Sequence, residues 1–273
     1  MHLANALVKQ GCRVMLFDLF GRGFSDGVGD LPHDPRLYVT QMLLVLASSP
    51  LAWTGNNGLR LVGYSLGGGI AVHFANAFPH LVESLVLLAP AGLVRPENFG
   101  TVTRIVFSSG LVPESILSHL TRRRLQQPIA APKMPRGAKA GDHQADMALA
   151  EAAEGPDENR LIPLERYVLF YVRWMVTHHP GFVGAFMSCI RFSPLTHQHE
   201  YWAKLADRKP GTTAIYFAQS DEVIDAEYYA QQALPLVGGK DHVDWRVMPG
   251  AHDFVMTHTA EVMEALDEFW AKG

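Results

Sequence analysis

Apolar positions fall in two patterns along the chain, compact runs with strand character and longer stretches with a period near four. Residues 13–18 (Arg-Val-Met-Leu-Phe-Asp), 59–63, 85–89, 213–218 and 243–248 are compact runs, and each predicts a largely buried strand. Around them the spacing turns helical. Residues 3–10 predict a helix that Gly11 stops, and Asp34-Pro35 predicts an N-cap and first helical position for a helix over 36–48. Leu66, Ile70, Phe74 and Phe78 lie four apart and predict a helix over 65–78, closed by Pro79. Val262, Leu266, Phe269 and Trp270 mark a last helix over 259–271. Such alternation predicts an α/β class: a mostly parallel sheet with helices on both faces. Residues 93–205 interrupt it with helical stretches at 114–126 and 164–176, no clear strand, and a Pro-, Gly- and Ala-rich segment over 128–160. The expected organisation is a core built from 1–92 and 206–273, with 93–205 as an inserted helical cap and 128–160 as its most mobile part.

Composition narrows the function classes. The 273 residues, 48% of them hydrophobic, suffice for a sizeable core. A net charge of -4 lacks the basic footprint of a nucleic-acid binder, so no such partner is expected. Cys12 and Cys189 are the only cysteines and suggest no disulfide framework. No apolar run approaches the ~20 residues of a membrane helix, and the first residues lack the basic-then-apolar order of a secretory leader. These features predict a cytoplasmic protein with no integral membrane segment.

The candidate chemistry lies in a pentapeptide. G-x-S-x-G occurs at Gly23-Phe24-Ser25-Asp26-Gly27 and again at Gly63-Tyr64-Ser65-Leu66-Gly67. A nucleophile elbow needs a strand directly before the serine and a helix directly after it, and its sharp turn demands small neighbours. Ser25 lies beyond its strand, and the Gly27–Pro32 stretch cannot begin a helix. Ser65 satisfies both conditions, and Gly67, Gly68 and Gly69 are expected to let the helix lie close to the sheet. Since Gly costs a helix about 1 kcal/mol against Ala, three in a row imply a packing reason.

A serine hydroxyl needs a base, and the base needs a carboxylate to orient it. Behind the 213–218 strand stands Asp221, with Asp225 and Glu222 as rivals; an ordinary loop-capping aspartate is the plain alternative. Behind the 243–248 strand stands His252, with His258 and His242 as rivals among 13 histidines. Tyr64, Tyr171 and Trp174 are candidate substrate contacts. The latter two share a helical stripe with Tyr167 and Phe170, a pattern more often that of plain core. Arg122-Arg123-Arg124 reads as a solvated helix face. His178-His179 and His197 with His199 have no carboxylate or cysteine cluster at ligand spacing, so no metal is expected.

These residues resemble the α/β-hydrolase superfamily, in which the chain order is serine, acid, histidine. Phe17-Asp18-Leu19-Phe20-Gly21-Arg22-Gly23-Phe24-Ser25-Asp26 resembles the D-x-x-G-x-G-x-S-D loop of that family, and Val86-Leu87-Leu88-Ala89-Pro90-Ala91-Gly92 resembles the strand and turn after its sixth strand. The nearest flavour is the esterase and monoglyceride-lipase-like group with a helical cap. The resemblance implies a serine hydrolase of a small-molecule carboxylic ester, lipid-like or a secondary metabolite. It would use Ser65, His252 and Asp221 through an acyl-enzyme, with no cofactor and with the Leu66 N–H in the oxyanion hole. Family members begin with further strands, one ending in a His-Gly loop that gives the second oxyanion donor, whereas Met1 falls inside the helix that should follow that loop. The resemblance therefore implies at most half of the usual oxyanion hole, and a second reading as a catalytically impaired protein that acts in binding or has no activity.

Overall fold

Four of the five apolar runs pair into one sheet. In the computed structural model, which describes residues 2–53, 58–95, 112–127 and 163–271, β1 (Leu59–Tyr64), β2 (Val82–Leu88), β3 (Thr213–Ala218) and β4 (Asp244–Met248) lie side by side in that order, all parallel. The register sets Val62 against Val86, Val86 against Ala214, and Ala214 against Asp244. The two central strands explain their own composition. Every residue of β3 is buried, and so is every residue of β2 except Glu83, which is why Leu85–Leu88 and Ala214–Ala218 run without polar interruption.

The fifth run is a correction. Residues 13–18 form no ladder, and Leu16 is 65% exposed. A strand is a pairing as well as a pattern: its N–H and C=O groups need a neighbour. Among the described residues β1 pairs only with β2, and nothing pairs with 13–18.

The chain divides into two compact units. The first comprises Met1–Phe17, Val39–Val94 and Pro194–Gly273, the second Asp18–Tyr38 and Arg95–Ser193. The first unit holds the sheet, with α1 (His2–Lys9), α3 (Leu66–Ala77), the short α7 (His199–Ala203), α8 (Ala226–Gln232), α9 (Phe254–Thr257) and α10 (Thr259–Ala271) around it. Helix α3 crosses from β1 to β2 and buries Ile70, Ala71, Val72 and Phe74. Helix α1 buries Leu7 and packs on α10, where Gln10 Nε2 donates to Asp267 Oδ2 at 2.8 Å.

The second unit holds α4 (Glu114–Leu125), α5 (Pro163–His178) and α6 (Phe182–Phe192). Leu117, Met175, Val176, Phe182, Val183 and Met187 make its apolar cluster. Arg122 turns back from the arginine run to donate to the Val176 carbonyl, so that run is more than a solvated face. The boundary between the units falls inside α2 (Pro35–Ser48), whose start Asp34 caps by accepting the Leu37 N–H at 3.0 Å. The expectation of a mobile 128–160 lies outside the described residues.

Candidate active site

Three strand ends carry the candidate residues. Ser65 follows Tyr64, the last residue of β1; Asp221 stands three residues past Ala218 of β3; His252 stands four past Met248 of β4. Because the strands are parallel, all three side chains belong to one edge of the sheet, the carboxyl edge.

Ser65 sits at φ 53°, ψ -122°, a region that non-glycine residues rarely occupy. Its neighbours hold it there. Its N–H donates to the Leu88 carbonyl at 3.0 Å, and its carbonyl accepts from Gly68 N at 2.9 Å and from Ala91 N at 2.9 Å. Space explains Gly63, where a β-carbon would lie 2.5 Å from the Gly67 carbonyl oxygen and 2.8 Å from Ala71 Cβ. The glycines after the serine meet the expectation only in part. A β-carbon on Gly68 would meet Pro90 at 2.7 Å and the Gly63 carbonyl oxygen of β1 at 3.3 Å, as a helix close to the sheet requires, whereas one on Gly69 would meet the Pro194 carbonyl oxygen at 2.9 Å, in a loop, and Gly67 has nothing within 4 Å.

The three side chains meet. His252 Nε2 lies 3.0 Å from Ser65 Oγ and His252 Nδ1 lies 2.8 Å from Asp221 Oδ2. The Asp221 side chain is fully buried, whereas that of His252 keeps 25% of its surface. The second Asp221 oxygen, Oδ1, accepts the N–H groups of Val223 and Ile224, each at 2.8 Å. One carboxylate oxygen is thus fixed by the loop and the other is left for the imidazole. With a proton on Nδ1, Nε2 is an acceptor aimed at the serine hydroxyl.

The rivals are occupied otherwise. Asp225 caps α8 by accepting the Tyr228 N–H at 3.0 Å, and Glu222 is exposed. His258 Nδ1 pairs with Thr257 Oγ1 at 3.0 Å. His242 precedes β4, at the opposite edge of the sheet. Ser25 Oγ donates to the Asp18 carbonyl at 2.7 Å.

Leu66 is the first residue of α3, so no carbonyl one turn behind takes its N–H. Tyr64 engages the main chain of His252. Its hydroxyl donates to the His252 carbonyl oxygen at 2.8 Å, and the two rings lie 5.2 Å apart. Burial, then the charges of Asp221 and Asp253, push its phenol pKa up, so it stays a protonated donor. Sequence spacing had no access to this bond, since 188 positions separate the partners. Tyr171 and Trp174 belong to the second unit, where their rings stack 6.1 Å apart and Phe24 packs on Trp174 at 5.8 Å.

Among the described residues no group of three or more His, Cys, Asp or Glu side chains could hold a metal ion, and no helix is long and apolar enough to cross a membrane.

Comparison with known proteins agrees with this architecture. A serine hydrolase-like protein of Dictyostelium discoideum is 32% identical over 103 residues, which is 35% of this chain but 26% of that protein. The match thus spans about a quarter of that relative's length. Among solved structures, the meta-cleavage product hydrolase of Pseudomonas fluorescens IP01 superposes with a TM-score of 0.58 at 17% identity, covering 99% of this chain and 84% of that one. The enol-lactonase of Burkholderia xenovorans LB400 reaches a TM-score of 0.62 at 12% identity, covering 98% and 85%. At such identities the likeness is one of fold. The family model described as the alpha/beta hydrolase fold matches residues 1–258, and the chain belongs to that family.

Proposed function

We propose that this protein is a serine hydrolase of small carboxylic esters, with Ser65 as nucleophile, His252 as base and Asp221 as its orienting acid. The observation that carries the reading is the imidazole of His252, held between a buried carboxylate at 2.8 Å and a serine hydroxyl at 3.0 Å. Ser65 Oγ attacks the ester carbonyl carbon and passes its proton to His252 Nε2. The imidazolium is stabilised by Asp221 through Nδ1–H and then protonates the departing alkoxide. Water, deprotonated by the same Nε2, attacks the acyl-enzyme, and the carboxylic acid leaves as Ser65 regains its proton. The free N–H of Leu66 points to stabilisation of the oxyanion, a contribution of about 10²–10³ in rate where such donors have been removed.

The same three groups serve lactone, thioester and carbon–carbon cleavage equally well. An open-chain ester is the reading that the esterase-like resemblance of the sequence supports. Tyr171 and Trp174 are proposed as contacts of the acyl group, on their helical stripe alone.

Labelling with a fluorophosphonate probe tests the proposal. Ser65 is expected to be modified, Ser65→Ala to abolish the label, and Asp221→Ala to slow it. A soluble, folded chain that takes no label sinks the hydrolase reading and leaves a protein that acts through binding or not at all.

A further inference from the structure

We infer that Tyr64 is a positioning residue that ties the base to the nucleophile through the His252 carbonyl. The inference rests on the function proposed above and adds to it the means by which His252 is held in reach of Ser65.

The topology sets the problem. Ser65 follows β1 and His252 follows β4, and two strands stand between them. With neighbouring strands about 4.8 Å apart, the two ends are about 14 Å from each other across the sheet. The segment after β4 must cross that distance to bring Nε2 to 3.0 Å from Ser65 Oγ. Near β4 it is anchored by backbone bonds: Gln219 N–H donates to the Met248 carbonyl at 2.8 Å and Ser220 N–H to the Gly250 carbonyl at 2.9 Å. Both donors belong to the loop after β3, so these bonds carry the segment only one strand across.

Beyond Gly250 the ring of His252 has two partners, Asp221 and Ser65, and the second must break when the serine attacks. A ring held by Nδ1 alone can swing about that bond. The Tyr64 hydroxyl supplies a third point, on the main chain of His252 at 2.8 Å, from the residue adjacent to Ser65 in sequence. Its ring, 5.2 Å from the imidazole and tilted by 34°, restricts the other side. Ser65 is itself held at its φ of 53° by backbone bonds to Leu88, Gly68 and Ala91, so the tie runs from the residue next to a fixed nucleophile. Main-chain attachment leaves Nε2 free for the proton transfer. It also uses the one proton the hydroxyl can donate, which is then not available to a substrate.

Three variants of the full chain test the inference, read with p-nitrophenyl acetate: Tyr64→Phe, His252→Ala and the double variant. Tyr64→Phe keeps the ring and hence the packing at the end of β1, so the melting temperature should stay within a few degrees. A single buried hydrogen bond predicts a fall in kcat of about three- to tenfold, with KM within twofold. In the His252→Ala background, where only residual catalysis is left, Tyr64→Phe should cost nothing more, because a residue that acts through His252 has nothing left to position. An equal loss in both backgrounds, or an unchanged kcat in the single variant, overturns the inference. Amide hydrogen exchange over 249–254 decides the matter independently of turnover: faster exchange in Tyr64→Phe supports the tie, and unchanged exchange rejects it. If Ser65→Ala leaves probe labelling intact, the hydrolase proposal fails while the exchange result still decides whether Tyr64 holds the His252 segment.

Discussion

A carboxylate that accepts hydrogen bonds from two backbone N–H groups and an imidazole, with no exposed surface, is the most constrained group of the candidate site. Burial of an unpartnered carboxylate is prohibitive, whereas three donors make it tolerable. Asp221 meets that condition and Asp225, four residues on, caps a helix. The pair therefore makes a sharp test. Asp221→Ala is expected to lower kcat for p-nitrophenyl acetate by about 10⁴, the loss seen when the acid of such a triad is changed. Asp225→Ala should leave kcat within twofold and cost about 1 kcal/mol of stability, the usual loss of an N-cap. Steady-state kinetics and thermal melts on both variants check this, and the reverse ranking would reassign the acid. At this scale the sequence carried much of the site, because chain order and strand ends restrict where an acid and a base can stand. It did not carry the role of Tyr64, since a bond to a main-chain carbonyl leaves no constraint on the residue type at position 252.

The elements differ in how well local pattern foretold them. Strands β1 to β4 were legible because apolar runs bounded by polar or glycine residues have few other uses in a chain of this kind. Residues 13–18 have the same pattern and form no strand, because the ladder partner that would complete them is a property of the sheet and not of the segment. Helix α8 (Ala226–Gln232) escaped prediction for the opposite reason: Ala-Glu-Tyr-Tyr-Ala-Gln-Gln is short and offers only Tyr229 as a buried anchor. The glycine run shows the same limit. Four glycines look alike in the sequence, yet only the surroundings say which must be glycine. Gly63→Ala forces a β-carbon against the Gly67 backbone and Ala71, and should destabilise the fold by about 1–3 kcal/mol. Gly67→Ala meets open space within α3 and should be neutral or stabilise by up to about 1 kcal/mol, since alanine favours a helix interior. Melting temperatures of the two variants should therefore move in opposite directions or, for Gly67→Ala, not at all. A loss in Gly67→Ala as large as that in Gly63→Ala would mean that the elbow needs both glycines.

On the scale of the whole molecule, three side chains keep buried ring nitrogens without a hydrogen-bond partner among the described residues, Trp202 and His242 in the first unit and His33 in the second, and burial shifts the titration of His33. His33 is 1% exposed, and neither of its ring nitrogens finds a hydrogen-bond partner among the described residues. Around it stand Tyr38, 5.9 Å from it ring to ring and bonded through its hydroxyl to Cys189 Sγ at 2.8 Å, and Arg22, whose Nη2 lies 3.5 Å from the same sulfur. Burial, and after it the charge of Arg22, hold the His33 pKa below the ordinary imidazole value of 6.5. The sign follows from proton linkage. Above pH 6.5 the imidazole is neutral in both folded and unfolded chain and contributes no pH dependence. As pH falls below 6.5 the unfolded chain takes up a proton that the folded one refuses, so stability drops, by about 1.4 kcal/mol per pH unit at most. Wild-type protein should thus melt at a lower temperature at pH 5.5 than at pH 7.5. His33→Phe keeps a ring of similar size without the titrating group, and should lose less of its melting temperature over the same interval. Circular dichroism melts of both proteins at the two pH values check the prediction. Equal drops in the two would place the acid sensitivity elsewhere, in carboxylates that lose charge-assisted partners, of which Asp34 beside Arg36 and Glu114 beside Arg191 in the same unit are the first to examine.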